Sequence, residues 1–169
     1  MSTKSISRIV IEQKIYLIRG QKVMLDKDLA VLYGVAARRL REQVKRNIKR
    51  FPADFMFQLN DREIDFMVSQ NATPSRQYLG GFKPYVFTEQ GVAMLSSVLN
   101  SERAIEVNIQ IMRVFVRIKE MLISHKDLAM KMEELEKKYD GQFRVVFEAI
   151  RRLMREEEKP KKSIGFHTR

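Results

Sequence analysis

The 169 residues contain no cysteine, no tryptophan and two histidines. Without a thiol there is no disulfide, no thiolate zinc site and no cysteine nucleophile. His125 and His167 stand far apart in sequence, one in a helical stretch and one in the tail, so neither a metal pair nor a catalytic triad is expected. No glycine-rich lysine–serine phosphate loop is present. Asp61, Glu63 and Asp65 alternate, but carboxylates at a helix start ordinarily favour the helix dipole. An enzyme is therefore not expected, and no cofactor or metal is implied. No apolar run approaches the roughly 20 residues that span a bilayer, and with 31% charged residues no membrane association is expected. MSTKSISRIVIEQK has neither the apolar segment nor the small-residue cleavage pattern of a secretory signal, so the expected location is cytoplasmic.

The charge that is present lies unevenly. The net charge is +11. Residues 36–50 hold seven Lys/Arg against Glu42 alone, residues 51–100 are slightly acidic, and residues 101–158 carry equal numbers of each sign. Cationic side chains concentrated on one segment and on the tail are the footprint of a polyanion binder. An ordinary solvated helix surface mixes signs at i,i+4, and here only Glu42 offsets the stripe. The segment DKDLAVLYGVAARRLREQVKRNIKR at residues 26–50 reads as two short helices joined at Gly34. Leu29, Ala30, Leu32 and Tyr33 are the apolar positions of the first. Leu40, Val44 and Ile48 recur every four residues and share one face of the second. At about 100° per residue, Arg38, Arg39, Lys45, Arg46 and Lys49 fall opposite. A helix-turn-helix that offers cations to a DNA major groove has this pattern.

The surrounding chain is mixed. Residues 14–19 and 22–25 read as strands around a Gly20-Gln21 turn, and Asp26 or Asp28 can cap the following helix. Phe51-Pro52 closes the basic segment. Residues 55–59 alternate like a half-buried strand, and Asn60 or Asp61 starts a helix to about Ser69. Residues 70–83 are polar, with Pro74 and Gly80-Gly81, and read as a loop or hairpin arm. Residues 84–88 form another strand, Thr88 caps a helix over residues 89–99, and Ser101 caps the next. The expected boundaries are an arm at 1–12, a DNA-binding domain at 13–122, a coiled-coil or dimerisation helix at 123–158 and a disordered basic tail at 159–169.

From residue 102 to 158 there is no proline and one glycine, Gly141. Ile105, Ile109, Met112, Val116 and Leu122 are expected to pack back on the domain. Beyond Lys126 the apolar stripe narrows to Leu128, Met132, Leu135, Tyr139, Phe143, Val146, Ile150 and Leu153, with a stutter after Tyr139. That spacing suits a homodimer seam, or a helix folded on its own domain. A continuous helix would extend about 85 Å, with Gly141 as its expected break.

Three motifs in order, IRGQKVMLDKDLAVLYGV, RLREQVKRNIKRFPADFMFQL and PYVFTEQGVAMLSSVLNSERAIEVNIQIMRVF, resemble the phage "ORF six N-terminal" DNA-binding domain family. That family is related to the KilA-N and Bro-N domains of phage antirepressors and large DNA viruses. The resemblance covers about residues 8–122. It implies a small α+β domain in a phage-type or prophage-type regulator, here followed by a long C-terminal helix or coiled coil.

The basic helix of the family matches residues 39–47. Arg38, Arg39 and Glu42 are expected to read base edges, since arginine can grip guanine in a bidentate way and Glu42 can accept from cytosine N4. Lys45, Arg46 and Lys49 are expected to hold the register on phosphates, and Arg41 is a further expected DNA contact. Gln43 and Asn47 lie toward the buried edge. Arg76, Gln77, Tyr78 and Lys83 form either a wing against the duplex or a plain surface loop. Thr88, Glu89 and Gln90 are most simply helix-capping residues. The expected partners are double-stranded DNA, a second copy of the chain and a repressor or other regulatory protein. The competing expectation is an antirepressor that captures a repressor without reading DNA. Single-stranded RNA recognition would want an exposed aromatic platform that is not seen.

Overall fold

The sheet grows from a two-residue turn. The computed structural model describes residues 8–69, 77, 79, 82–138 and 144–145. In it, β1 (Tyr16–Ile18) and β2 (Gln21–Leu25) pair antiparallel with Ile18 opposite Gln21. The turn is therefore Arg19-Gly20, one residue earlier than the pattern suggested. Both residues have positive φ, 52° and 73°, the backbone required by a two-residue hairpin that follows the strand twist. Arg19 is anchored there: its guanidinium donates to Glu63 at 2.7 and 3.0 Å and lies 4.5 Å over the Phe57 ring.

β3 (Met56–Gln58), β4 (Tyr85–Thr88) and β5 (Arg144–Val145) complete an antiparallel sheet in the order β3-β4-β2-β1-β5. Side chains alternate between two apolar clusters, as the two-residue period of a strand demands. Met24, Met56 and Phe87 point to the larger cluster, whereas Val23, Leu25 and Val86 point to the smaller one. The smaller cluster is closed by Ile64 and Met67 of α4 (Asp61–Ser69) and by Leu79. Asn60 starts α4 with a reciprocal cap. Its Oδ1 accepts from the Glu63 N–H at 2.8 Å, and Glu63 Oε1 accepts from the Asn60 N–H at 2.9 Å.

Helices cover the other face. α1 (Arg8–Glu12) sends Ile11 into the core, so the last residues of the expected arm are part of the fold. α2 (Asp26–Tyr33) and α3 (Ala37–Arg46) follow β2, and α5 (Glu89–Leu99) follows β4. Thr88 caps α5 as expected: its Oγ1 accepts from the Gly91 N–H and donates to the Asp54 carbonyl at 2.8 Å. Gly91 has a reason of its own, because a Cβ there would lie 2.0 Å from the Phe55 carbonyl oxygen. Ser101 Oγ accepts from the Ala104 N–H at 3.1 Å and starts α6 (Glu102–Ser124).

α6 departs from expectation on two counts. The face it buries is Ala104, Val107, Asn108, Ile111, Val114, Phe115 and Ile118. The stripe expected to face the domain does so only through Met112 and Leu122, which pack half-buried against the core, while Ile105, Ile109 and Val116 turn outward at 46–47% exposure. The helix also ends well before Gly141. His125 (φ −126°, ψ 78°) interrupts it, and α7 runs from Lys126 to Lys138. No proline or glycine marks that break. The side chains of Leu128, Met132 and Leu135 lie outside the described residues, as do Tyr139, Gly141, Phe143, Val146, Ile150, Leu153 and the tail. Among the described residues, no helix is long and apolar enough to cross a membrane.

Candidate nucleic-acid interface

α2 and α3 meet across a tight turn. Gly34 adopts φ 70°, and its N–H donates to Val31 O at 3.1 Å while the Val35 N–H donates to Ala30 O at 3.0 Å. These two bonds end α2 in the left-handed cap that glycine adopts at least cost. Arg103 Nε donates to the Leu32 carbonyl at 3.2 Å and satisfies another helix-end acceptor. Leu32, Tyr33, Leu40 and Val44 are buried together, so the two helices lock at a fixed angle. Tyr33 adds a buried polar tie: its hydroxyl bonds Asn108 Oδ1, and the Asn108 amide donates to Val92 O at 2.7 Å. α2, α5 and α6 are joined through that chain. Burial pushes the Tyr33 phenol well above its ordinary pKa, so it remains a donor.

The acids of α2 do not cap it. Leu25 occupies the cap position, and Asp26 and Asp28 lie buried in the first turn. Asp26 instead joins three elements. It accepts from the Lys27 N–H at 2.7 Å and from the Tyr85 N–H of β4 at 3.3 Å, and it faces Arg41 of α3 at 3.6 Å. Burial raises its pKa, opposed by those hydrogen bonds and by Arg41. Asp28 is less well served. Burial pushes its carboxyl up to about 6, opposed by Lys14 at 3.9 Å. Its Oδ2 accepts no hydrogen bond from the described residues.

α3 presents two unlike faces. Leu40 and Val44 face the core, while Arg38, Arg39, Glu42, Lys45 and Arg46 are exposed. Arg38 Nε lies 3.3 Å from Glu42 Oε1, one turn on, and the Arg38 side chain is 87% exposed. Arg41 differs from its neighbours: it is 21% exposed, paired with Asp26 and set 5.5 Å from the centre of the Phe82 ring. The geometry makes it a strut for α3. Past Arg46 the helix tightens. Asn47 (φ −118°, ψ 30°) donates from its side chain to Gln43 O at 2.8 Å, and a 3-10 turn follows at Ile48–Arg50. The change in residues per turn swings Ile48 off the Leu40–Val44 stripe to 53% exposure, against expectation. It leaves Lys49 and Arg50 exposed alongside the α3 cations.

Four of the expected contacts, Arg38, Arg39, Lys45 and Arg46, thus share the open side of one helix, and Lys49 sits on the turn beyond it. Lys83 is exposed but lies 3.7 Å from Asp61. Arg76 and Tyr78 lie outside the described residues. The sequence pattern did not single out Arg50, whose guanidinium sits 3.4 Å from Ser97 Oγ of α5, although it counted toward the charge of the segment.

Residues 13–98, just over half of the chain, match the ORF6N domain. The chain belongs to the ORF6N domain family. No curated protein and no solved structure matches it. The ORF6N domain is of a phage-type regulatory and antirepressor class, and the matched span runs from the hairpin to the end of α5. The basic face of α3 therefore falls inside the family domain, whereas α6 and α7 lie beyond it.

Proposed function

We propose that this ORF6N-domain protein is a double-stranded DNA-binding regulator that reads sequence with α3. The observation that carries the proposal is the split between the faces of α3: one stripe is fixed in the core, and the other offers four exposed cations, Arg38, Arg39, Lys45 and Arg46, against the single acid Glu42, with Lys49 and Arg50 on the turn beyond. A helix anchored in this way can enter a groove about 12 Å wide without giving up its packing. Arg38, Arg39 and Glu42, near the helix start, read base edges. The Arg38–Glu42 pair orients the guanidinium before it meets a guanine, and a bidentate grip discriminates by about 1–3 kcal/mol per base pair. Lys45, Arg46, Lys49 and Arg50 contact phosphates and set the register. Arg41 acts through Asp26 by holding α3 to β4 and α2. The loop around Arg76 and Lys83 supplies a second contact along the duplex.

Two copies joined through the C-terminal helices would meet half-sites about one helical turn, roughly 34 Å, apart. The proposal is tested by selecting bound molecules from a random duplex pool and sequencing them, with Arg38→Glu/Lys45→Glu run alongside. An enriched motif that disappears in the variant supports the proposal. A folded wild-type chain that enriches nothing, while both it and the variant capture a repressor protein, replaces it with the antirepressor function.

A further inference from the structure

α6 carries a second apolar stripe that the described residues cover only in part: Met112 packs half-buried against the core, while Ile105, Ile109 and Val116 are exposed. Ile105, Ile109, Met112 and Val116 follow one another at intervals of four, three and four, and Ile123 continues the series at 67% exposure. That 4-3-4 spacing is the seam of a helix that packs on another helix, not the broader stripe that faces a globular core. The seam borders a groove of about 500 Å³ whose other wall is α5, where Ala93 and Ser96 are small enough to admit a neighbouring backbone. Its rim holds Arg113, Arg117 and Glu120.

We propose that the occupant of this groove is α6 of a second copy of the chain, packed antiparallel about a two-fold axis near the midpoint between Ile109 and Met112. The stripe is close to self-complementary about that point: Ile109 meets Met112 of the second copy, and Ile105 meets its Val116. On the open flank, Glu106 precedes the midpoint and Arg113 follows it. An antiparallel pair therefore sets Glu106 against Arg113 of the second copy, twice. A parallel pair would set Arg113 against the position of Asn108, which is buried and already bonded to Tyr33 and Val92. An isologous contact of this kind is the commonest way for a chain to form a closed dimer. The paired seam from Ile105 to Val116 covers about 17 Å of helix at 1.5 Å per residue, enough for four interlocking apolar side chains from each copy. The inference keeps the two-copy part of the proposed function but moves the seam upstream of residue 126. Its test does not depend on DNA.

Sedimentation equilibrium of the full chain over a range of concentrations provides the test. A dimer is expected, and Ile109→Glu/Val116→Glu should weaken it at least 100-fold with unchanged circular dichroism. Glu106→Arg and Arg113→Glu should each weaken it about tenfold, and the two together should restore it, since the pairing is reciprocal. That rescue still reports on the interface if the apolar variant misfolds. A wild-type monomer at all concentrations overturns the inference. So does a dimer that survives both sets of changes but is lost in Leu128→Glu/Leu135→Glu. DNA affinity of the monomeric variant, measured in parallel, separates a failure here from a failure of the proposed DNA reading.

Discussion

α3 and α6 are both amphipathic helices packed on the same core, yet they use their outward faces differently. α3 buries Leu40 and Val44 and turns cations outward; α6 buries seven residues and turns a second apolar stripe outward. Where a helix has one apolar stripe, its inner face follows from the sequence. Where it has two, tertiary packing chooses, and period alone does not say which one is inside. An exposed cationic face suits a polyanion, and an exposed apolar seam suits another helix.

The comparison breaks first at the charged face. Arg38→Glu/Lys45→Glu should cost roughly 10³-fold in duplex affinity at low salt, since a base-edge arginine and a phosphate contact are lost and two repulsions gained. The melting temperature should stay within a few degrees, because both side chains are exposed. Leu40→Ala tests the opposite face of the same helix. It should lower stability by about 3 kcal/mol in denaturant unfolding, as truncation of a fully buried leucine does, and should weaken DNA binding only through unfolding.

Asp28 sharpens the picture of how α2 is seated. Its folded pKa, about 6, lies above the ordinary carboxylate value. The folded state therefore binds the proton more tightly than the unfolded chain, and the carboxyl withdraws stability as pH rises from about 4 through about 6. Asp28→Asn should thus gain about 3 kcal/mol at pH 7 and nothing below pH 4, read from urea midpoints at both pH values. A gain of equal size at both would place its origin elsewhere. The smallest effect belongs to Ile48. Ile48→Ala should change stability by less than about 0.5 kcal/mol, against the several expected had it continued the Leu40–Val44 stripe.

Much of the domain is legible in the amino-acid sequence. The caps at Asn60, Thr88 and Ser101, the glycine turn at Gly34 and strands β1 to β4 follow from local chemistry that few tertiary contacts override, whereas β5 lies in the stretch expected to be a dimerisation helix and is set by its pairing with β1. The exposed α3 cations follow from charge and period together. Other features depend on distant residues. Arg41 resembles its neighbours in sequence, and only the fold brings Asp26, fifteen positions earlier, against it. The helical run past Arg46 keeps its pattern in sequence but not in geometry, because Asn47 bonds its side chain back to Gln43 and a tighter turn follows. His125 ends α6 without the proline or glycine that usually announces a break.

The most direct test is the salt dependence of binding to a random duplex. If each copy neutralises about five phosphates, log affinity should fall against log salt with a slope near −4.5 per copy, or about −9 for a dimer. The Arg38→Glu/Lys45→Glu chain should show a slope shallower by about 1 per copy, since Lys45 is the phosphate contact of the two. A folded wild-type chain whose affinity does not change between low and moderate salt would contradict the account of α3 as a DNA-facing helix.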